Sequence, residues 1–186
     1  MLLPDLKRSC ERGLGGPRHA DALNLGAYEG AVAFRHASVA YVPEAIVVGS
    51  CGLLRESELA NLRVRDITLL KGTGCGSISI HSSASKTDWR ARGCVRTLCC
   101  TCLVVCCPVT AVSVLVDSAK EFDDFLVRTH DGQFVSKQMM VAAMKCFAKH
   151  IGQEGRRITG HSLRTTGAQA IAAAGMSDPR IAIFGR

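Results

Sequence analysis

The chain has 186 residues, enough for one domain with a buried core, and its 47% hydrophobic and 21% charged residues exclude a disordered chain. An excess of 23 Lys and Arg over 16 Asp and Glu gives a formal charge of +7, which suits a polyanion such as nucleic acid. Only 5% of residues are aromatic, too few for a single-strand binder that stacks bases, so contact with backbone phosphate is the expectation.

Residues 1–42 are Gly-rich and weakly periodic, and read as a loosely structured N-terminal segment. Pro43 opens a helix, EAIVVGSC, which Gly52 interrupts. RESELANL gives a short helix with Leu59 and Leu62 on one face, and RVRDITLL a strand. KGTGCG is a turn by composition. SISIHSSA alternates, with Ile78 and Ile80 on one face; SKTDWRARG is then a basic hairpin tip and CVRTLCC the partner strand. A helix is expected from Pro108 to about Leu126, and another from about Ser136 to His150 with Met140, Met144 and Phe147 at helical spacing. GQEGRR is a linker. Thr159 or Gly160 starts a helix that Gly175 ends, and Ser177-Asp178-Pro179 starts one more. The chain carries no internal repeat and no low-complexity tract.

One run calls for a membrane test. The 20 residues from Thr97 to Val116 carry no charge, a length that can span a bilayer. Pro108 sits inside that run and Thr97, Thr101, Thr110 and Ser113 dilute it, so a buried strand followed by a helix with Pro in its first turn is preferred. The opening MLLPDLKRSCERGLGG turns charged too soon for a signal peptide. The 10 cysteines are therefore expected to be reduced and the protein intracellular, nuclear in a eukaryote and cytoplasmic or nucleoid otherwise. Cys94, Cys99, Cys100, Cys102, Cys106 and Cys107 crowd together, with Cys99 and Cys102 at zinc spacing. A strand sends alternate side chains to opposite faces, so packing is favoured over a metal site. Cys10, Cys51, Cys75 and Cys146 read as isolated thiols.

Three places could carry chemistry. His161 and Arg164 lie three apart at a helix start, where the dipole favours an anion. A guanidinium binds two phosphate oxygens as a fork, and an imidazole adds a donor or moves a proton. Arg55 begins RESEL, and Glu58, one turn on, can orient it. Lys86 ends a strand beside Arg90 and Arg92, where it could reach a phosphate or a leaving oxygen. Taken singly, each also has a plain structural reading: a polar helix mouth, an exposed ion pair and a charged strand edge.

Their order forms a pattern. GLLRESELANLRVRDI, then SKTD, then GHSLRTTGAQAIAAAGMSDPRIAIFGR resembles the tyrosine recombinase (phage integrase) family, over roughly residues 43–186. The resemblance implies an α+β catalytic domain, mainly helical with a small antiparallel sheet, acting on double-stranded DNA with other recombinase protomers. It implies that a tyrosine attacks the scissile phosphodiester to form a phosphotyrosyl link, and that a deoxyribose hydroxyl then reseals the strand. By motif, Arg55 and Arg164 hold the non-bridging oxygens, Glu58 supports Arg55, Lys86 protonates the leaving oxygen and His161 assists. It implies no metal, cofactor, membrane or small-molecule substrate.

In the family, the nucleophilic tyrosine follows FGR and a Trp or His position. This sequence stops at Arg186, and its only tyrosines, Tyr28 and Tyr41, precede Arg55 and read as packing residues. Residues 1–42 also leave little room for the family's separate DNA-clamping domain. Both ends are thus expected to be truncated, as in a fragment, a cut gene model or a decayed mobile-element copy. Two other readings stand beside an active parent: an inactive DNA-binding remnant, and a zinc-stabilised interaction module.

Overall fold

Helix α1 (Val42–Cys51) is the piece around which the others pack. It has Pro43 in its first turn, where a missing N–H costs nothing, and every residue from Val42 to Ser50 except Glu44 is buried. A helix apolar nearly all round must be covered on all sides. The computed structural model describes residues 19–24, 26, 28, 31, 33–70, 76–82, 93–102 and 106–185.

After α1 come α2 (Glu56–Asn61), a short 3-10 turn (Val64–Asp66), and strands β1 (Ile67–Leu70), β2 (Ser77–Ser82) and β3 (Cys94–Cys99). Then follow α3 (Pro108–Asp117), α4 (Lys137–His150), α5 (Ser162–Ala173) and α6 (Asp178–Phe184). The sheet is antiparallel in the order β1-β2-β3, with Ile67 opposite Ile80 and Ile78 opposite Leu98. Ile78, Ile80 and Leu98 face the core, as alternation requires. This is the expected α+β architecture, mainly helical with one small sheet.

RVRDITLL is only half strand. The Asp66 carboxylate accepts the Arg63 N–H at 2.8 Å and holds residues 64–66 in the 3-10 turn, so the strand begins at Ile67.

The helix from Pro108 stops at Asp117, well short of the expected Leu126. Tertiary partners end it. Buried Arg128 gives hydrogen bonds to the Ser118 hydroxyl (2.6 Å) and to the carbonyls of Leu115 (3.4 Å) and Phe125 (3.0 Å). Residues beyond the helix pair with distant segments instead, through bridges Arg63–Phe125 and Val39–Thr129.

Helix α4 starts where Ser136 accepts the Met139 N–H at 3.2 Å. It buries Met140, Ala143, Met144, Phe147 and Ala148, the expected apolar stripe. Phe147 meets Tyr28 and Phe34 with ring centroids 5.0 and 5.4 Å apart. The described residues of 19–41 thus add Leu23, Tyr28 and Phe34 to the core. Tyr28 is a packing residue as expected, whereas Tyr41 is exposed.

The uncharged run divides between the end of β3 and α3, with Pro108 in the helix's first turn. Among the described residues no helix is long and apolar enough to cross a membrane.

Candidate phosphate-binding site

The turn that closes α1 places the first cation. Leu53 and Leu54 donate back to Ser50 and Gly49 at 3.0 and 2.8 Å, with Leu53 left-handed at φ 48°. The chain reverses into α2 with Arg55 at its N-cap. The Glu58 carboxylate then accepts the Arg55 backbone N–H at 2.9 Å and its guanidinium at 2.8 Å.

Arg164 reaches the same carboxylate from α5, 106 residues away in sequence. Its Nε donates to the Leu53 carbonyl at 2.9 Å and its terminal nitrogen to Glu58 at 3.2 Å. Glu58 leaves only 6% of its side chain exposed, whereas Arg55 and Arg164 keep 20% and 23%. One carboxylate therefore clasps two guanidinium groups whose other faces meet solvent. Burial holds Arg164 below its usual range and Glu58 opposes this, while the charges of Arg55 and Arg96 push it further down. Like charges thus sit close together here, a repulsion that a negative ligand would relieve.

Helix packing makes the approach possible. An added Cβ on Gly167 would lie 1.9 Å from the Ser50 carbonyl oxygen, and one on Gly49 2.8 Å from a Leu163 methyl. These two glycines let α5 and α1 touch closely enough for Arg164 to reach Leu53. At the start of α5, Gly160 leaves space that the buried Glu56 carboxylate fills.

His161 caps α5 and lines, with Arg164, a cavity of about 870 Å³. Arg156, Arg157, His19 and Asp21 form its other walls. The wall from 19 to 24 is tied on by Arg156, which donates to the Ala22 carbonyl at 2.7 Å, and by Leu23, which donates to Thr166 at 2.8 Å. The His161 and Ser162 N–H groups are already taken by Thr159, at 3.2 and 3.0 Å. Side chains, more than these two amides, therefore line the mouth. The structure brings Arg55, Glu58 and Arg164 together and sets His161 on the same cavity as Arg164. Lys86, with Arg90 and Arg92, lies outside the described residues.

Arg96 escaped the sequence reading. It stands on β3 opposite Ile80, where the pattern of the strand calls for an apolar side chain. It is 3% exposed, its Nε donates to the Phe184 carbonyl at 3.3 Å, and its two terminal nitrogens have no partner among the described residues. The available signal was a lone charge in register with inward-facing Leu98. An uncompensated buried charge costs stability. Arg96→Met is therefore expected to raise stability by about 1 kcal/mol or more. A lower midpoint of urea unfolding in the variant would mean that Arg96 is satisfied in the protein as it stands.

Among the described residues no group of three His, Cys, Asp or Glu side chains is arranged to hold a metal ion. The Cys99/Cys102 spacing therefore carries no described zinc site, although some of the thiols do meet. Cys51, expected to be isolated, is close enough to Cys106 and Cys107 to feel their charge.

No family model matches the sequence, and no curated protein matches it. Its fold is shared by solved structures, among them the following three. A XerA recombinase matches with a TM-score of 0.63 and 19% identity over 92% of this chain and 57% of its own. A lambda integrase dimer bound to a COC′ core site gives 0.64 and 12% over 95% and 60%. A XerH site-specific recombinase bound to difH substrate, in a pre-cleavage complex, gives 0.61 and 14% over 89% and 46%. The chain thus spans between 46% and 60% of the length of these structures. The fold class is that of the tyrosine recombinase catalytic domain.

Proposed function

We propose that this chain is the phosphate-gripping region of a DNA recombinase that cuts and rejoins strands through a phosphotyrosyl link. One observation carries the reading. The Glu58 carboxylate holds Arg55 and Arg164 side by side, and each guanidinium carries further N–H groups beyond those bonds. A phosphodiester offers two non-bridging oxygens, and each guanidinium is a rigid fork matched to such a group.

Arg55 and Arg164 hold those oxygens, and Glu58 fixes both forks before DNA arrives. As charge builds on the five-coordinate phosphorus, donors that need no rearrangement stabilise it most, each worth roughly a hundredfold in rate or more. His161 hydrogen-bonds the phosphate or assists proton transfer from the mouth of the cavity. Lys86 protonates the leaving deoxyribose oxygen. Arg96 adds a third positive charge behind the pair. The partner is double-stranded DNA, on which further recombinase protomers assemble. Tyr28 is 1% exposed and packed against Phe147, so its hydroxyl is closed off from any phosphate.

Two measurements test this. Duplex-DNA affinity should fall steeply with salt, because each neutralised phosphate releases counterions. A nicked duplex should trap a covalent protein–DNA adduct. Binding without capture would leave DNA recognition standing and remove cleavage; no salt-dependent binding would remove both.

A sharper comparison separates the clasped arginine from its neighbour on the cavity wall. Arg164→Ala should lower duplex affinity by about tenfold, the worth of a charge-assisted hydrogen bond. Arg156→Ala should lower it only a few-fold, since exposed Arg156 is tied to the Ala22 carbonyl. Equal losses would show that the cavity attracts DNA by diffuse charge, with no convergent grip.

A further inference from the structure

The cysteines at the end of β3 and the start of α3 have chemistry of their own. Cys100 follows β3, and Cys107 is the N-cap of α3. Their sulfurs are 3.4 Å apart. Cys102, left-handed at φ 56°, turns back so that its N–H donates to the Cys100 sulfur at 3.2 Å; its own sulfur lies 3.9 Å from that of Cys100.

The environments differ. Burial pushes the Cys107 thiol up, but hydrogen bonds from the Thr110 backbone and side chain, the Thr101 backbone and Cys100 outweigh it and lower it to about 6. These bonds favour the thiolate form of Cys107. Burial, with the charges of Cys106 and Cys107, pushes Cys51 up to about 11, and burial raises Cys106 as well. Only the thiolate is nucleophilic. Cys107 is buried, at 3% exposed, while Cys100 is half-buried. The access and the nucleophile therefore sit on two different sulfurs in contact.

We propose that Cys100 and Cys107 are a redox modification site that closes to an intrachain disulfide when a peroxide reaches Cys100. In the first step Cys100 passes its proton to the Cys107 thiolate beside it and attacks hydrogen peroxide as the thiolate; the O–O bond breaks, Cys100 becomes a sulfenic acid, and the hydroxide released takes the proton back from Cys107 as water. In the second, the Cys107 thiolate attacks the Cys100 sulfur, the S–S bond forms as the S–O bond breaks, and hydroxide leaves and takes a proton as water. Two thiols are oxidised, one peroxide is reduced, and two waters result. The bond ties the end of β3 to the start of α3. The site is independent of the DNA reading.

The experiment uses the full chain, reduced and freed of reductant, then exposed to hydrogen peroxide at neutral pH. Remaining thiols are blocked with N-ethylmaleimide, and unreduced chymotryptic peptides are fragmented in the mass spectrometer. Cleavage at Leu103 separates Cys100 from Cys107 in sequence. The expected result is a Cys100–Cys107 link that dithiothreitol reverses, with Cys51 still alkylated as a reduced thiol. Cys107→Ser, which puts a side chain favoured at helix N-caps at the start of α3, should instead leave Cys100 as sulfenic or sulfinic acid. The proposal is overturned if all thiols stay reduced, or if Cys100 pairs with Cys102 instead.

Discussion

Replacing Glu58 with alanine is expected to cost about 3 kcal/mol of stability and at least tenfold in duplex-DNA affinity. The carboxylate accepts from the Arg55 backbone, the Arg55 guanidinium and the Arg164 guanidinium, at 2.9, 2.8 and 3.2 Å. Removing it leaves two cations side by side with nothing between them, and buried Arg96 adds to the repulsion. The cost stands at the low end for a broken buried ion pair, because water reaches the outer faces of both arginines. Glu58→Gln should fall between, since its amide oxygen still accepts while its charge is gone. Urea unfolding gives the stability, and salt titration of DNA binding gives the rest. The salt slope should change little, because the arginines remain charged and only their aim is lost. A stability loss well below 1 kcal/mol would make Glu58 an ordinary surface partner and would remove the clasp from the proposed mechanism.

What could be read from the sequence was what neighbouring residues decide among themselves. Pro43, Pro108 and Pro179 mark helix starts because a first turn needs no N–H from them. Met140, Met144 and Phe147 mark a buried face because helical spacing puts them there. Arg55 and Glu58 are three apart, and their pairing follows from that spacing. The end of α3 could not be read in this way. DSAKEFDDF has helical composition, and it is Arg128, Arg63 and Val39 that draw the following chain into bridges. The meeting of Arg164 with Glu58 spans 106 residues, and no local spacing encodes it. Only resemblance to a known motif order suggested that these residues belong together. Arg96 was missed for the opposite reason, since the period of its strand assigns its position to the core, and it does lie there. The contact between Cys100 and Cys107 likewise needs a strand end and a helix start placed against each other, which spacing does not specify.

The closeness of α1 and α5 can be tested without touching any charged group. Gly167→Ala should lower stability by about 3 kcal/mol, at the upper end for overpacking. That corresponds to a thermal midpoint lower by about 6–12 °C for a domain of this size. On an open helix face the same change stabilises by up to about 1 kcal/mol, because glycine loses more backbone freedom on folding. Here the new methyl group would sit 1.9 Å from the Ser50 carbonyl oxygen and 2.5 Å from a Leu53 methyl. The oxygen is backbone within α1 and cannot swing aside, so α5 must move. Arg164 lies one turn earlier on α5, and its 2.9 Å bond to the Leu53 carbonyl moves with the helix. DNA affinity should therefore fall along with stability, although the added methyl adds no charge. Gly49→Ala provides the contrast, since its methyl would meet a Leu163 side-chain methyl at 2.8 Å, which can rotate away. Its loss should be smaller. If Gly167→Ala is neutral or stabilising, α5 does not ride on α1 at glycine distance, and the route by which Arg164 reaches Glu58 must be different.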